Sequence, residues 1–176
     1  MLSAVYTHKF STGRNLANLW RDAPRAETLS SGHTFYHDKM EVGHLYNYLS
    51  GPSQIEVDGK HFLLKRQNRV FVFTQNYTLE HDGRTISTAK ETKLFFLSNS
   101  RISYTVKRHS RELTLKNDMW SLRGRQYLLW DGQDRVGVIK HNSDFGADID
   151  LPPEIPLPVQ IFIYKLAFIM WQRGIR

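Results

Sequence analysis

The sequence predicts a mainly β protein, an antiparallel β-barrel of about twelve short strands with a buried hydrophobic carboxyl-terminal helix. Three observations carry that reading. Apolar and polar residues alternate with period two through residues 33–149, where helical spacing almost disappears. Asp58-Gly59 and Asp82-Gly83 each separate two such runs, and Asp-Gly supplies the positive φ angles that two-residue hairpins need. Beyond residue 156 the chain is apolar on nearly every side, which suits a helix surrounded by other protein.

The chain has 176 residues and no cysteine. That length fits one domain with a sizeable core, and the absent thiols exclude disulfides, thiolate zinc sites and cysteine nucleophiles. The division read from the pattern is an amino-terminal segment over 1–32 and a β domain over 33–176 that includes the terminal helix, 157–172. Met1-Leu2-Ser3-Ala4-Val5-Tyr6 lacks the charged start and apolar stretch of a secretory signal, which predicts a cytoplasmic protein, peripheral to a membrane if it meets one. Thr12 as a cap, with Leu16, Leu19 and Trp20 at helical spacing and Pro24 beyond, predicts a short helix over 12–22 packed on the main body.

Within the β domain, Gln54 to Asp58 pairs with His61 to Arg66, and Asn76 to His81 with Thr85 to Ala89. Ile102, Tyr104 and Val106 alternate with Ser103, Thr105 and Lys107, and Leu113 and Leu115 with Glu112, Thr114 and Lys116, so each strand has one apolar and one solvated face. Asn76-Tyr77-Thr78-Leu79 before Asp82-Gly83 is echoed by Gln126-Tyr127-Leu128-Leu129 before Asp131-Gly132. At a separation of about fifty residues this suggests two similar multi-strand halves.

The acidic loop Asp144, Asp148, Asp150 and Glu154 and the prolines Pro153, Pro156 and Pro158 deliver the chain to the terminal helix. Residues 157–171 make about 22 Å of helix, short of a hydrocarbon core of about 30 Å. Lys165 in its middle is a second objection to a membrane anchor. A core helix therefore fits, and the way to surround one with short strands is to thread it through the barrel.

Two β-rich halves, then Ala147-Asp148-Ile149-Asp150-Leu151-Pro152 and a proline-flanked apolar helix, resemble the tubby carboxyl-terminal-like superfamily of tubby proteins, phospholipid scramblases and LURP-one-related proteins. The resemblance covers roughly residues 33–173 and rests on layout. It implies a filled barrel and an association with phosphoinositides or membrane lipid. The chain departs from the scramblases in lacking a cysteine-rich lipidation segment, and no phosphoinositide-contacting motif matches residue by residue.

The net charge of +7 is unevenly placed: residues 101–140 hold nine cations against four acids, whereas 141–156 hold four acids and no cation. The densest run is the tip Lys107-Arg108-His109-Ser110-Arg111, with Arg101 and Lys116 nearby. Lys107, Arg108, Arg111 and Lys116 are the candidate contacts for an anionic phospholipid headgroup; the competing reading is a solvated tip whose cations discourage edge-to-edge strand pairing. Nucleic acid is disfavoured, because no recognition signature accompanies the charge.

No metal or cofactor site is expected. His33 and His37 sit among strand-favouring residues, where four positions span roughly 13 Å. Asp148 and Asp150, with Asp144 or Glu154, lack the glycine-centred loop of a calcium site. Asp144-Phe145-Gly146 stands without the other kinase motifs, and no catalytic constellation emerges. The expected role is a non-enzymatic binding or scaffold domain that associates transiently with anionic membrane lipid. The alternative is a small-ligand-binding protein or enzyme whose pocket is assembled from distant residues.

Overall fold

The computed structural model describes residues 2–7, 29–48, 52–67, 74–94, 97–106, 109–118, 126–141 and 146–174. Twelve antiparallel strands form a closed barrel: β1 (Leu2–Thr7), β2 (Leu29–His37), β3 (Met40–Tyr48), β4 (Ser53–Val57), β5 (Lys60–Gln67), β6 (Thr74–His81), β7 (Arg84–Leu94), β8 (Leu97–Val106), β9 (His109–Asn117), β10 (Gln126–Asp131), β11 (Asp134–His141) and β12 (Ala147–Asp150). Neighbours in sequence are neighbours in the barrel, and β1 closes it by pairing with both β12 and β2. Leu2–Thr7, which the sequence groups with the amino-terminal segment, is thus a barrel strand. The short helix expected over 12–22 lies outside the described residues.

Because successive strands run antiparallel, every second connection falls at the same end. One end carries the two-residue tips at 38–39, 58–59, 82–83 and 132–133 together with the connection between β8 and β9; the other carries the connections between β1 and β2, β3 and β4, and so on round the barrel. Asp58 (φ 51°) with Gly59 (φ 70°), and Asp82 (φ 49°) with Gly83 (φ 73°), adopt the doubly left-handed turn that their sequence predicts. Asp38 (φ 51°) and Lys39 (φ 69°) make the same turn without glycine.

The pairing register corrects the expectation of two halves to three four-strand units. In the hairpins β2–β3, β6–β7 and β10–β11, one residue is bulged out at the same distance from the tip: Val42, Ile86 and Val136. All three are β-branched and pack partly buried against the core. Next come Gly43, Ser87 and Gly137, each facing one backbone carbonyl of the following strand. A Cβ on Gly43 would lie 2.8 Å from the Glu56 oxygen, one on Gly137 would lie 2.8 Å from the Asp150 oxygen, and the Ser87 hydroxyl donates to the Ser103 oxygen at 3.0 Å. Ile55, Ile102 and Ile149, equally spaced in the chain, pair with Phe62, Leu113 and Leu2. The fourth strand of the third unit is β1, so the amino terminus completes the repeat. Gly43→Ala should therefore destabilise the fold by about 2 kcal/mol, since the new methyl also meets Val57 and Ile161 at 3.1 and 3.2 Å. A urea titration of the two proteins measures the difference.

Helix α1 (Leu157–Gly174) enters from the tip end, where β12 delivers the chain. The amides of Val159 and Gln160 donate to the Pro156 carbonyl at 2.8 and 3.0 Å, and the Gln160 side chain donates to the Ile155 carbonyl at 2.8 Å, so the first turn is closed without an acidic cap. Eight consecutive positions, Ile161 to Phe168, are buried, which leaves no solvent face. Its contacts come from around the barrel: Ile161 at Gly43, Lys165 at Asn47, Met170 at Ser100 and Trp171 stacked on His141 at 4.6 Å. The helix fills the interior. Among the described residues no helix is long and apolar enough to cross a membrane.

At the level of helix residues 164–171 the three units contribute a buried polar layer: His33, Tyr77 and Tyr127 at one equivalent position, Asn47, Glu91 and His141 at another. Tyr77 donates to Glu91 at 3.0 Å, while burial, with Glu91 adding to it, holds the Tyr127 phenol well above its ordinary range. Lys165 donates to the Asn47 amide oxygen at 2.6 Å, so its amine finds an interior amide and neither the rim nor a carboxylate.

Candidate functional site

Two surface features arise from β7–β9. The first is on the outer wall. Lys90 on β7 is directly opposite Arg101 on β8, and Lys116 on β9 is diagonal to Arg101, two positions from its partner Thr114. All three are exposed. Glu112 pairs with Arg101 at 3.3 Å, and the Lys116 ammonium stands 5.3 Å from the ring centre of Trp130. Like charges directly opposite on neighbouring strands destabilise a sheet. Edge protection offers no reason for them here, because a closed barrel has no edge.

The second feature is at the tip end. Hairpin β4–β5 turns after the pair Val57 and Lys60, whereas its equivalent β8–β9 runs two residue pairs further, to Val106 and His109. The extension, about 7 Å, carries Val106 and His109 beyond the level at which β4–β5 turns, with Tyr104 and Arg111 paired at its base. These side chains form one wall of a cleft of about 490 Å³; Asp131 and Val136 of β10–β11, and Pro152, Glu154 and Ile155 before α1, form the others. Burial raises the Tyr104 phenol above its ordinary range, Arg111 opposes the rise, and Asp131 and Glu154 add to it. The hydroxyl therefore stays protonated at neutral pH, available as a donor.

Of the four residues singled out from the sequence, the structure describes Arg111 and Lys116, and these two do not converge. Lys107 and Arg108 lie outside the described residues. Arg111 and Lys116 are five positions apart on β9, about 17 Å, and of opposite parity: Arg111 follows the inward series of Leu113 and Leu115 into the cleft, and Lys116 joins Lys90 and Arg101 on the wall. Sequence reasoning missed Lys90 and the cleft's far walls, whose residues come together only through barrel closure. His33 and His37 do lie on one strand, β2; His33 is buried against Tyr164 and Phe168, and His37 stands at the tip beside Asp38. Asp148 and Asp150 are both exposed on β12, and Asp144 lies outside the described residues. Among the described residues no three histidine or acidic side chains are grouped to hold a metal ion. In comparisons with known proteins, no family model, no curated protein and no solved structure matches this chain.

Proposed function

We propose that this chain is a tubby-like binding or scaffold domain, not an enzyme, that attaches transiently to anionic phospholipid on the cytoplasmic side of a membrane. The observation that carries the reading is the row Lys90, Arg101 and Lys116 on the wall of a barrel that has no edge to protect. A twelve-strand barrel filled by its own terminal helix supports the tubby-like assignment. With its β7–β9 wall on the bilayer, the domain would bring this row to the headgroups, with Arg111 at the rim; Lys107 and Arg108, between β8 and β9 in the chain, are proposed to add to the contact.

At about 1 kcal/mol per cation near an anionic surface, four effective charges give roughly 4 kcal/mol, or about three decades in partitioning. That is reversible attachment. The protein should cosediment with vesicles of phosphatidylcholine and phosphatidylserine at low salt, detach as salt rises, and ignore phosphatidylcholine alone. Each of Lys90→Gln, Arg101→Gln and Lys116→Gln should weaken partitioning about fivefold with folding unchanged. Equal retention on the neutral vesicles, or none on the anionic ones at low salt, rejects the reading. Oligonucleotides run alongside identify a general polyanion patch, which would retain both with the same salt dependence.

A further inference from the structure

The cleft under the β8–β9 overhang is distinct from the basic wall and carries charges of both signs. Arg111 stands on one wall, Asp131 and Glu154 on the others, and among the described residues none of the three is in an ion pair. Opposite charges that face one cavity without closing on each other leave room for a ligand between them. Tyr104 adds a hydroxyl that makes no hydrogen bond among the described residues, and Val106, Leu113, Val136 and Ile155 supply an apolar lining. No other hairpin at the tip end is extended in this way among the described strands.

We propose that this cleft binds a short apolar zwitterion of di- or tripeptide size, its ammonium group held by Asp131 and Glu154 and its carboxylate by Arg111 with Tyr104 donating. The cleft, about 490 Å³ and half open to solvent, has room for a ligand of this size between its apolar walls and its exposed charged side chains. The planar guanidinium matches a carboxylate in two parallel hydrogen bonds. A ligand of one charge alone would meet repulsion from one side of the cleft, so both free ends are required. This ligand needs no membrane, and the site stands or falls independently of the lipid reading.

The test is calorimetric titration of the full chain with the dipeptide Leu-Leu, its N-acetyl form, its C-terminal amide, the doubly blocked N-acetyl amide and O-phosphoethanolamine. Leu-Leu should bind, and blocking either end should weaken it about tenfold, a loss of about 1.4 kcal/mol. Arg111→Gln should weaken Leu-Leu by a similar factor while leaving the amide unaffected, and Glu154→Gln should weaken Leu-Leu while leaving the N-acetyl form unaffected. Tyr104→Phe should give a smaller loss of the same pattern as Arg111→Gln. Lys60→Gln, at the position of the shorter β4–β5 hairpin equivalent to Arg111, should change nothing. Binding of the doubly blocked peptide with the affinity of Leu-Leu would overturn the proposal, and so would the absence of any binding heat at millimolar dipeptide. Tighter binding of O-phosphoethanolamine than of Leu-Leu would overturn the carboxylate assignment.

Discussion

A chain that ends at Ile155 is expected to show no cooperative thermal transition. Val159, Ile161, Phe162, Ile163, Tyr164, Leu166, Phe168, Met170 and Trp171 are all buried; at about 2 kcal/mol each they contribute roughly 18 kcal/mol, more than the roughly 5–15 kcal/mol by which a domain is stable. Removing the helix would also leave the inward faces of Leu45, Ile55, Leu79, Ile102, Leu115 and Leu129, all fully buried in the intact protein, lining an empty barrel. Water entering that space would meet apolar side chains on every strand. Calorimetry of the shortened chain decides the matter: a monomeric, soluble product with a sharp melt would make the helix an appendage and remove the basis for a filled barrel.

The helix was legible because its apolar residues recur on all sides, a pattern with few soluble solutions. The hairpins at Asp58-Gly59 and Asp82-Gly83 were legible because their turn chemistry is explicit. The turn at Asp38 and Lys39 was not, since a lysine with φ of 69° carries no glycine signal. Nor was the threefold scheme, whose markers are a bulge and a small residue next to it. Ser87 fills the place of Gly43 and Gly137 by turning its hydroxyl onto the carbonyl that their missing side chains spare. The first strand escaped notice because Leu2 and Ala4, two buried side chains, are too short a series to establish alternation.

The candidate site separates in the same way. Exposure of Arg111 and Lys116 was readable, and their opposite parity on one strand already kept them from converging. What no local pattern reveals is the company each keeps. Lys116 meets Arg101 and Lys90 through the register of three strands, and Arg111 meets Asp131 and Glu154 because β8–β9 overhangs while two later elements end beneath it. Of the cations the sequence groups together, Lys116 thus joins a basic wall and Arg111 a mixed-charge cleft.

Replacing Lys165 by methionine should stabilise the protein at neutral pH, and the gain should disappear in alkali. Burial lowers the amine from 10.5 to about 8. Above the unfolded value of 10.5 the amine is neutral in both states and imposes no penalty. As pH falls through that window the unfolded chain takes up the proton first, and below about 8 the full penalty is present, roughly 3 kcal/mol for a shift of this size. Against it stands the hydrogen bond to Asn47, whose oxygen still accepts from Ser53 at 3.2 Å when the lysine is gone. Methionine, one atom shorter, keeps an unbranched chain beside Phe168, where the ammonium stands 5.6 Å from the ring centre. The net expectation for Lys165→Met is about 1–3 kcal/mol of added stability at pH 7, shrinking steadily between pH 8 and 10.5. Urea titrations of both proteins across that range measure the difference directly, with other titrating groups cancelling. A variant that is less stable at pH 7, by an amount independent of pH, would mean that the Lys165–Asn47 bond outweighs the buried charge and holds the helix in place.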